Sequence, residues 1–327
     1  MSETNISGVF ILQEVRERIL ADVWPATFVL PITGFGWFGG GNSFGVVSTV
    51  NRIDFAVDTN IASVRGPLSS GRGYLTATGN DNYGWFGGGY SSTPRSTVDR
   101  VTFASDTGTA SVRGPLSLAR YSLAATGNDN YGWFGGGYSP SRSTVNRIDF
   151  AADTGTASVR GSLSTVRIYH ASTGNQNFGW FGGGATGSSA HVTTVNRIDF
   201  AADTGTASVR GSLSEARAQL SATGNNEYGW FGGGNITSVV GPTRSRVDRI
   251  TFASDTSTTS VRGPLSSNKI RSAATSDDEY GWFGGGIEST FSSKTDRINF
   301  ADDTSTALVR GPLSTDRSDL AATSGII

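Results

Sequence analysis

Two histidines, His170 and His191, stand in a chain of 327 residues that has no cysteine. Two His in separate parts of the chain fall short of a catalytic metal site, which takes three or more protein ligands. The lack of Cys removes thiolate zinc sites, disulfides and thiol nucleophiles. Carboxylates are the next candidates. A glycosidase needs two of them facing each other across a sugar, and the acids of the irregular segments, Glu215, Glu288 and Asp316, are scattered. No Ser-His-Asp grouping or dinucleotide fingerprint stands out, and the recurring GWFGGG is not followed by the Lys-Ser/Thr of a phosphate loop. Asn128-Asp129-Asn130 and its counterparts offer oxygen ligands to a cation, but without an Asp-x-Asp-x-Asp-Gly loop they read as turns. The expectation is a chain without cofactor, without metal and without catalytic residues.

What recurs is architectural. Trp37, Trp85, Trp133, Trp180, Trp230 and Trp282 each precede Phe-Gly-Gly-Gly, 48, 48, 47, 50 and 52 residues apart. Val-Arg-Gly keeps the same beat at Arg65, Arg113, Arg160, Arg210, Arg262 and Arg310. Six copies of one unit follow, and such a period signals a stacked or ring-closed repeat. Within one unit, residues 121–126 (YSLAAT), 131–135 (YGWFG), 144–151 (TVNRIDFA) and 156–159 (TASV) read as strands, with GNDN and DTG as turns and nothing helical.

Four short strands per repeat define a propeller blade. The expected fold is all-β: a six-bladed propeller over residues 31–327, with a β-helix or other solenoid as the alternative. Each Trp-Phe pair is expected to wedge between blades, and the triple glycine to relieve crowding near the axis. The last strand-like segment, 319–323, matches YSLAAT but lacks a GWFGGG after it, and the first GWFGGG lacks a strand before it. Pairing the two ends closes the ring and removes both open edges. The Arg of VRG and the Asp of the DT turn occur in all six units, so they are expected to form ion pairs or hydrogen bonds between blades.

Residues 96–137 resemble a kelch repeat. They share a glycine doublet closing an aromatic strand, an amphipathic strand ending in an aromatic, an Asp-Thr turn, a Pro-Leu phrase and an Arg ahead of the next strand. The likeness extends over about residues 33–325. It departs where TASV stands in place of a strand with an early tryptophan.

The six units differ mainly in two segments, the one after GGG and the one after the fourth strand. In an up-and-down blade both lie at the same end. That end would carry Tyr90, Arg95, Tyr121, Arg142, Tyr169, His170, His191, Arg244 and Phe291, and loops on a rigid scaffold are where binding concentrates.

Ahead of the repeats, residues 1–30 hold a short amphipathic helix. Leu12, Val15, Ile19 and Val23 form its apolar stripe, and Trp24-Pro25 end it. Residues 7–25 (SGVFILQEVRERILADVWP) resemble a segment of tailed-bacteriophage virion proteins. That resemblance implies attachment to a particle through the N-terminal segment, with a tail-fibre, baseplate or capsid-surface role in an oligomeric assembly. It also implies a partner that is another virion protein or a host-surface glycan or protein. A formal charge of −1 gives no electrostatic footprint for nucleic acid, and no apolar run is long enough to span a membrane. The start of the chain does not read as a secretory signal; a virion protein made in the host cytoplasm is the leading expectation. A cellular kelch-type adaptor is the alternative, and a glycan-active enzyme a third.

Overall fold

The computed structural model describes residues 34–187, 190–237 and 241–326, all within the compact unit Thr33–Ile327. The N-terminal helix expected over Leu12, Val15, Ile19, Val23 and Trp24 lies outside the described residues.

The described residues form six four-stranded antiparallel sheets arranged as the blades of a propeller. Blade 3 shows the plan: inner strand Ala124–Gly127, second strand Tyr131–Gly135, third strand Thr144–Asp149 and outer strand Ser158–Ser162. The first blade is completed from the far end of the chain. Its inner strand, Ala321–Ile326, pairs antiparallel with Gly34–Gly39 in a register running from Gly34 opposite Ile326 to Gly39 opposite Ala321. The ring therefore closes as the two unmatched ends require.

Several boundaries depart from the sequence reading. The inner strand starts at Ala124 rather than Tyr121, because the preceding residues are taken up by a bonding pattern around the axis. The third strand stops at Asp149, and Phe150–Ala152 form a 3-10 turn, capped where the Asp149 carboxylate accepts from the Ala151 N–H at 3.0 Å. That turn takes the Phe150 ring out of the strand and lays it on Trp85 of blade 2, 3.8 Å between centroids and 5° from parallel. The same stack recurs as Trp37–Phe103, Trp133–Phe200, Trp180–Phe252, Trp230–Phe300 and Trp282–Phe55. The six tryptophans of these stacks are fully buried. The hydrophobic core is thus a set of slabs between blades, each built from two neighbours.

The triple glycine sits on the second strand and just beyond it, not on the strand nearest the axis. Its first member faces the next blade: a Cβ on Gly135 would lie 2.9 Å from the Phe181 ring. The other two, Gly136 and Gly137, have φ of +66° and +103°, where a side chain is strained. Small residues next to the axis do the packing that the glycines were expected to do. The Thr126 methyl group fills the gap left by Gly179 on blade 4, and Thr78 fills that of Gly132.

Each blade junction is fastened by one buried aspartate. Asp153, in the turn after the third strand of blade 3, accepts the Trp85 Nε1–H at 2.8 Å and an Arg100 Nη1–H at 3.1 Å, both from blade 2. The Arg113 guanidinium of the Val-Arg-Gly phrase lies 3.5 Å from the same oxygen. Asp58, Asp106, Asp203, Asp255 and Asp303 hold the equivalent Trp and two Arg at the other junctions. Arg100 also lies over the Tyr83 ring at 4.5 Å, sandwiching the cation. Gly114 closes the phrase because a side chain there would strike the Gly155 carbonyl of blade 3.

Candidate functional site

The fixed and the variable connections end up on opposite faces. On the fixed face, the Asn128 Oδ1 accepts from the N–H groups of Asn130 and Tyr131, shaping an Asx turn, and its Nδ2 donates to the Gln176 carbonyl of the next blade. Asn80, Asn175 and Asn225 repeat both roles. These side chains are spent on turn geometry and blade spacing. No three His, Cys, Asp or Glu among the described residues are grouped to hold a metal ion.

On the variable face, six equivalent residues surround the axis: Tyr74, Ser122, Tyr169, Gln219, Arg271 and Asp319. Their backbones form a closed belt. The Ser122 N–H donates to the Tyr74 carbonyl at 2.9 Å, Tyr169 to Ser122 at 3.0 Å, Gln219 to Tyr169 at 2.8 Å, Arg271 to Gln219 at 2.9 Å, Asp319 to Arg271 at 2.9 Å and Tyr74 to Asp319 at 2.8 Å. To make this pattern every member takes a left-handed conformation, with φ between +55° and +59°. A residue other than glycine held there costs on the order of 1–3 kcal/mol. This chain has 45 glycines, yet none of the six positions carries one. The side chains at the belt are kept in spite of the backbone strain.

Those side chains wall an axial well of about 150 Å³ whose sides below the belt are Ala, Ser, Thr and Leu of the inner strands. Arg271 Nη1 donates to the Tyr74 hydroxyl at 3.1 Å, and its Nε lies 3.7 Å from Asp319 Oδ1. The other Asp319 oxygen accepts from Asn42 Nδ2 at 3.0 Å and Ser318 Oγ at 2.7 Å. Burial pushes the Asp319 carboxyl above the usual carboxylate range in spite of Arg271. Burial, reinforced by Asp319, pushes the Tyr74 hydroxyl up to about 12.

The residues expected to form a binding face are distributed unevenly over it. Tyr90, Tyr121 and Tyr169 are brought together. Tyr121 lies 5.2 Å from Tyr90, 5.4 Å from Tyr138 and 5.9 Å from Tyr74, which in turn is 6.3 Å from Tyr169. A continuous tyrosine surface therefore runs from the loops of blades 2 and 3 to the axis. Phe291 meets Phe44 of blade 1 edge-on at 5.5 Å, away from that surface, with Phe44 97% exposed. Arg244 is tied to Glu215 by two hydrogen bonds of 3.1 Å, which hold the Glu215 carboxyl below its usual range. Arg95 braces its own loop, its Nη2 donating to the Ser91 carbonyl at 3.2 Å. Arg142 is half-buried near Arg120, and His191 is half-buried on a short hairpin, Ala185–Thr186 with Ala190–His191.

His170 lies in the wall of the well but at the position held by Leu75, Leu123, Leu220 and Leu320 in other blades. It is buried against Phe181, ring centroids 5.9 Å apart, and desolvation drives its pKa well below the ordinary 6.5. It is a neutral packing residue there. Four belt residues, Ser122, Gln219, Arg271 and Asp319, lie in the variable segments, and Tyr74 joins them, without having been singled out. The signal was available: theirs is the column one residue ahead of the leucine in four units, with His170 and Ser272 in the leucine's place in the other two.

Under the belt sits a second ring, of fully buried cations: Arg72, Arg120, Arg167, Arg217, Lys269 and Arg317. Three have a buried aspartate, at 2.8 Å for Arg72–Asp99, 2.8 Å for Arg217–Asp248 and 3.0 Å for Lys269–Asp296. Blades 3, 4 and 1 carry Asn146, Asn196 and Asn51 instead. Arg120, Arg167 and Arg317 bond to backbone carbonyls, and burial lowers each to about 10.

No protein-family model matches the chain, and no curated protein matches it. No helix among the described residues is long and apolar enough to cross a membrane.

Proposed function

We propose that this chain is a non-enzymatic bacteriophage virion protein, a component of the tail fibre, baseplate or capsid surface, made in the host cytoplasm. Its propeller presents the variable face to a host surface or to a neighbouring subunit. The observation that carries the reading is the segregation of change. The face of the Asn turns repeats from blade to blade, whereas the belt and its flanking loops combine Tyr, Ser, Gln, Arg and Asp at equivalent positions. A scaffold with one monotonous face and one diversified face suits recognition better than turnover, and the acids needed for glycoside hydrolysis are not paired across the well. The kelch-like unit adds support, since such repeats build binding platforms. The particle assignment rests on residues 7–25 and on the Gly-rich, Cys-free composition, with residues 1–30 as the attachment segment through Leu12, Val15, Ile19, Val23 and Trp24.

Mass spectrometry of gradient-purified particles tests the first half: the chain should co-purify in fixed stoichiometry. Its absence from particles would end the virion reading. Incubating the purified full-length chain with host cells tests the second half, with retention expected to depend on the belt face.

A further inference from the structure

We infer that the axial well is a sugar-binding site, taking one uncharged pyranose at the end of a glycan whose next residues lie along the tyrosine surface. This deepens the reading of the variable face as a recognition surface and rests on it. The first ground is chemical content. Tyr74 and Tyr169 give the well aromatic walls, and Gln219, Ser122, Arg271 and Asp319 give it donors and acceptors within one small ring. Aromatic faces suit the C–H faces of a pyranose, and convergent amide, hydroxyl and guanidinium groups suit its hydroxyls.

The second ground is unspent bonding capacity. Gln219 Oε1 and Ser122 Oγ, on residues only 4% and 6% exposed, have no hydrogen-bond partner in the protein. A buried polar atom left unpaired is costly; both atoms are closed to solvent as the side chains stand, so the proposed ligand meets them by a rotation of the Gln219 and Ser122 side chains toward the well, which the unpaired state favours. Both belong to residues held in the strained left-handed conformation, where glycine would be easier.

The third ground is charge. Arg271 and Asp319 offset each other at 3.7 Å, and His170 is neutral. No lining residue of the well offers a cation without a carboxylate partner, and the buried Arg120, Arg167 and Arg317 beneath it are engaged by backbone carbonyls. Its volume of about 150 Å³ admits one ring, and the run from Tyr74 through Tyr121 to Tyr90 and Tyr138 continues outward at centroid steps of 5.2 to 5.9 Å.

The experiment is saturation-transfer NMR on the full-length chain, irradiating aromatic protons. The probes are methyl glycosides of glucose, galactose, mannose and rhamnose, with glucuronate as the acidic probe. At least one neutral glycoside should bind with a dissociation constant below about 50 mM. Gln219→Met with Ser122→Gly, which keeps the first side chain's length and relaxes the second backbone, should weaken that binding about tenfold, the worth of one or two lost hydrogen bonds. Asp129→Ala, in the Asn-turn face at the other end of the blades, should leave it unchanged, and urea unfolding confirms that each variant is folded. Three results would overturn the inference: no neutral glycoside binds, glucuronate binds as well or better, or the double variant binds like the parent. The NMR readout is independent of host-cell retention, so the outcomes separate. Cell binding that persists in the double variant defeats the sugar site and leaves the recognition face standing. Sugar binding by a chain missing from particles does the reverse.

Discussion

The Trp282 indole N–H of the last blade donates to Asp58 of the first at 2.9 Å, across 224 residues of sequence. The contact is the same as the one Trp85 makes to Asp153 in mid-ring. Closure is therefore not a special joint but the sixth instance of a repeated one, and the two ends of the chain meet through contacts that every neighbour pair already uses.

Asp153→Asn is expected to destabilise the protein by about 3–5 kcal/mol, because Arg100 and Arg113 lose the charge that compensates their partial burial. Asp106→Asn and Asp203→Asn should cost similar amounts, since their partners are equivalent. Denaturant unfolding of the three variants checks this, and a much smaller loss at one junction would show that the junctions are not equivalent.

Trp133→Ala should cost about 3–5 kcal/mol, the range for truncating a buried tryptophan, because it removes the stack on Phe200 and the bond to Asp203 together. Trp133→Phe should recover part of that loss in the same unfolding assay by restoring ring area without the N–H.

Asn146→Asp should stabilise the fold by about 1 kcal/mol, the scale of a charge-assisted hydrogen bond. Arg120 is a buried cation facing a neutral amide, Nη2 to Oδ1 at 3.1 Å, whereas Arg72 and Arg217 face carboxylates in the same setting. Ser117, which bonds to Asn146, matches the Ser214 that bonds to Asp248, so the new carboxylate meets a ready partner. A decrease in stability would show that the carbonyl partners of Arg120 already suffice.

His170→Leu should stabilise the protein, more at pH 5 than at pH 8. The folded-state pKa lies below the ordinary 6.5 because of burial, followed by Arg167. The unfolded chain therefore takes up a proton first as pH falls. Stability is full above about 6.5 and is lost toward the folded-state value, by up to about 1.4 kcal/mol per pH unit. Equal gains at both pH values would contradict this account of His170.

Much of this fold is legible in the sequence, for a physical reason. A Trp on a regular beat, followed by Phe-Gly-Gly-Gly, is constrained by the neighbouring blade, so its column repeats and exposes the period. The missing partners of segment 319–323 and of Gly34–Gly39 likewise expose the closure. The belt is less legible. Its left-handed conformation comes from hydrogen bonds between blades around the axis, and residues as different as Tyr74, Gln219 and Asp319 adopt it. No residue type announces it. His170 misleads in the opposite sense: beside Tyr169 in a variable stretch it reads as a surface group, yet the alternation of the inner strand turns it inward to a leucine's place. The 3-10 turn at Phe150 is hidden because TVNRIDFA alternates like one continuous strand.

The most direct measurement of the central claim, that the variable face does the binding, compares two sets of substitutions for retention on host cells and on particles lacking the chain. One set carries Tyr121→Ala, Gln219→Met and Arg271→Ala on the belt face. The other carries Asp81→Ala, Asp129→Ala and Asp278→Ala on the Asn-turn face. The belt-face set should reduce retention at least about tenfold, as expected for loss of central aromatic and Arg contacts, while the Asn-turn set is retained like the parent. Unimpaired retention of the belt-face set, or loss confined to the Asn-turn set, would contradict the account.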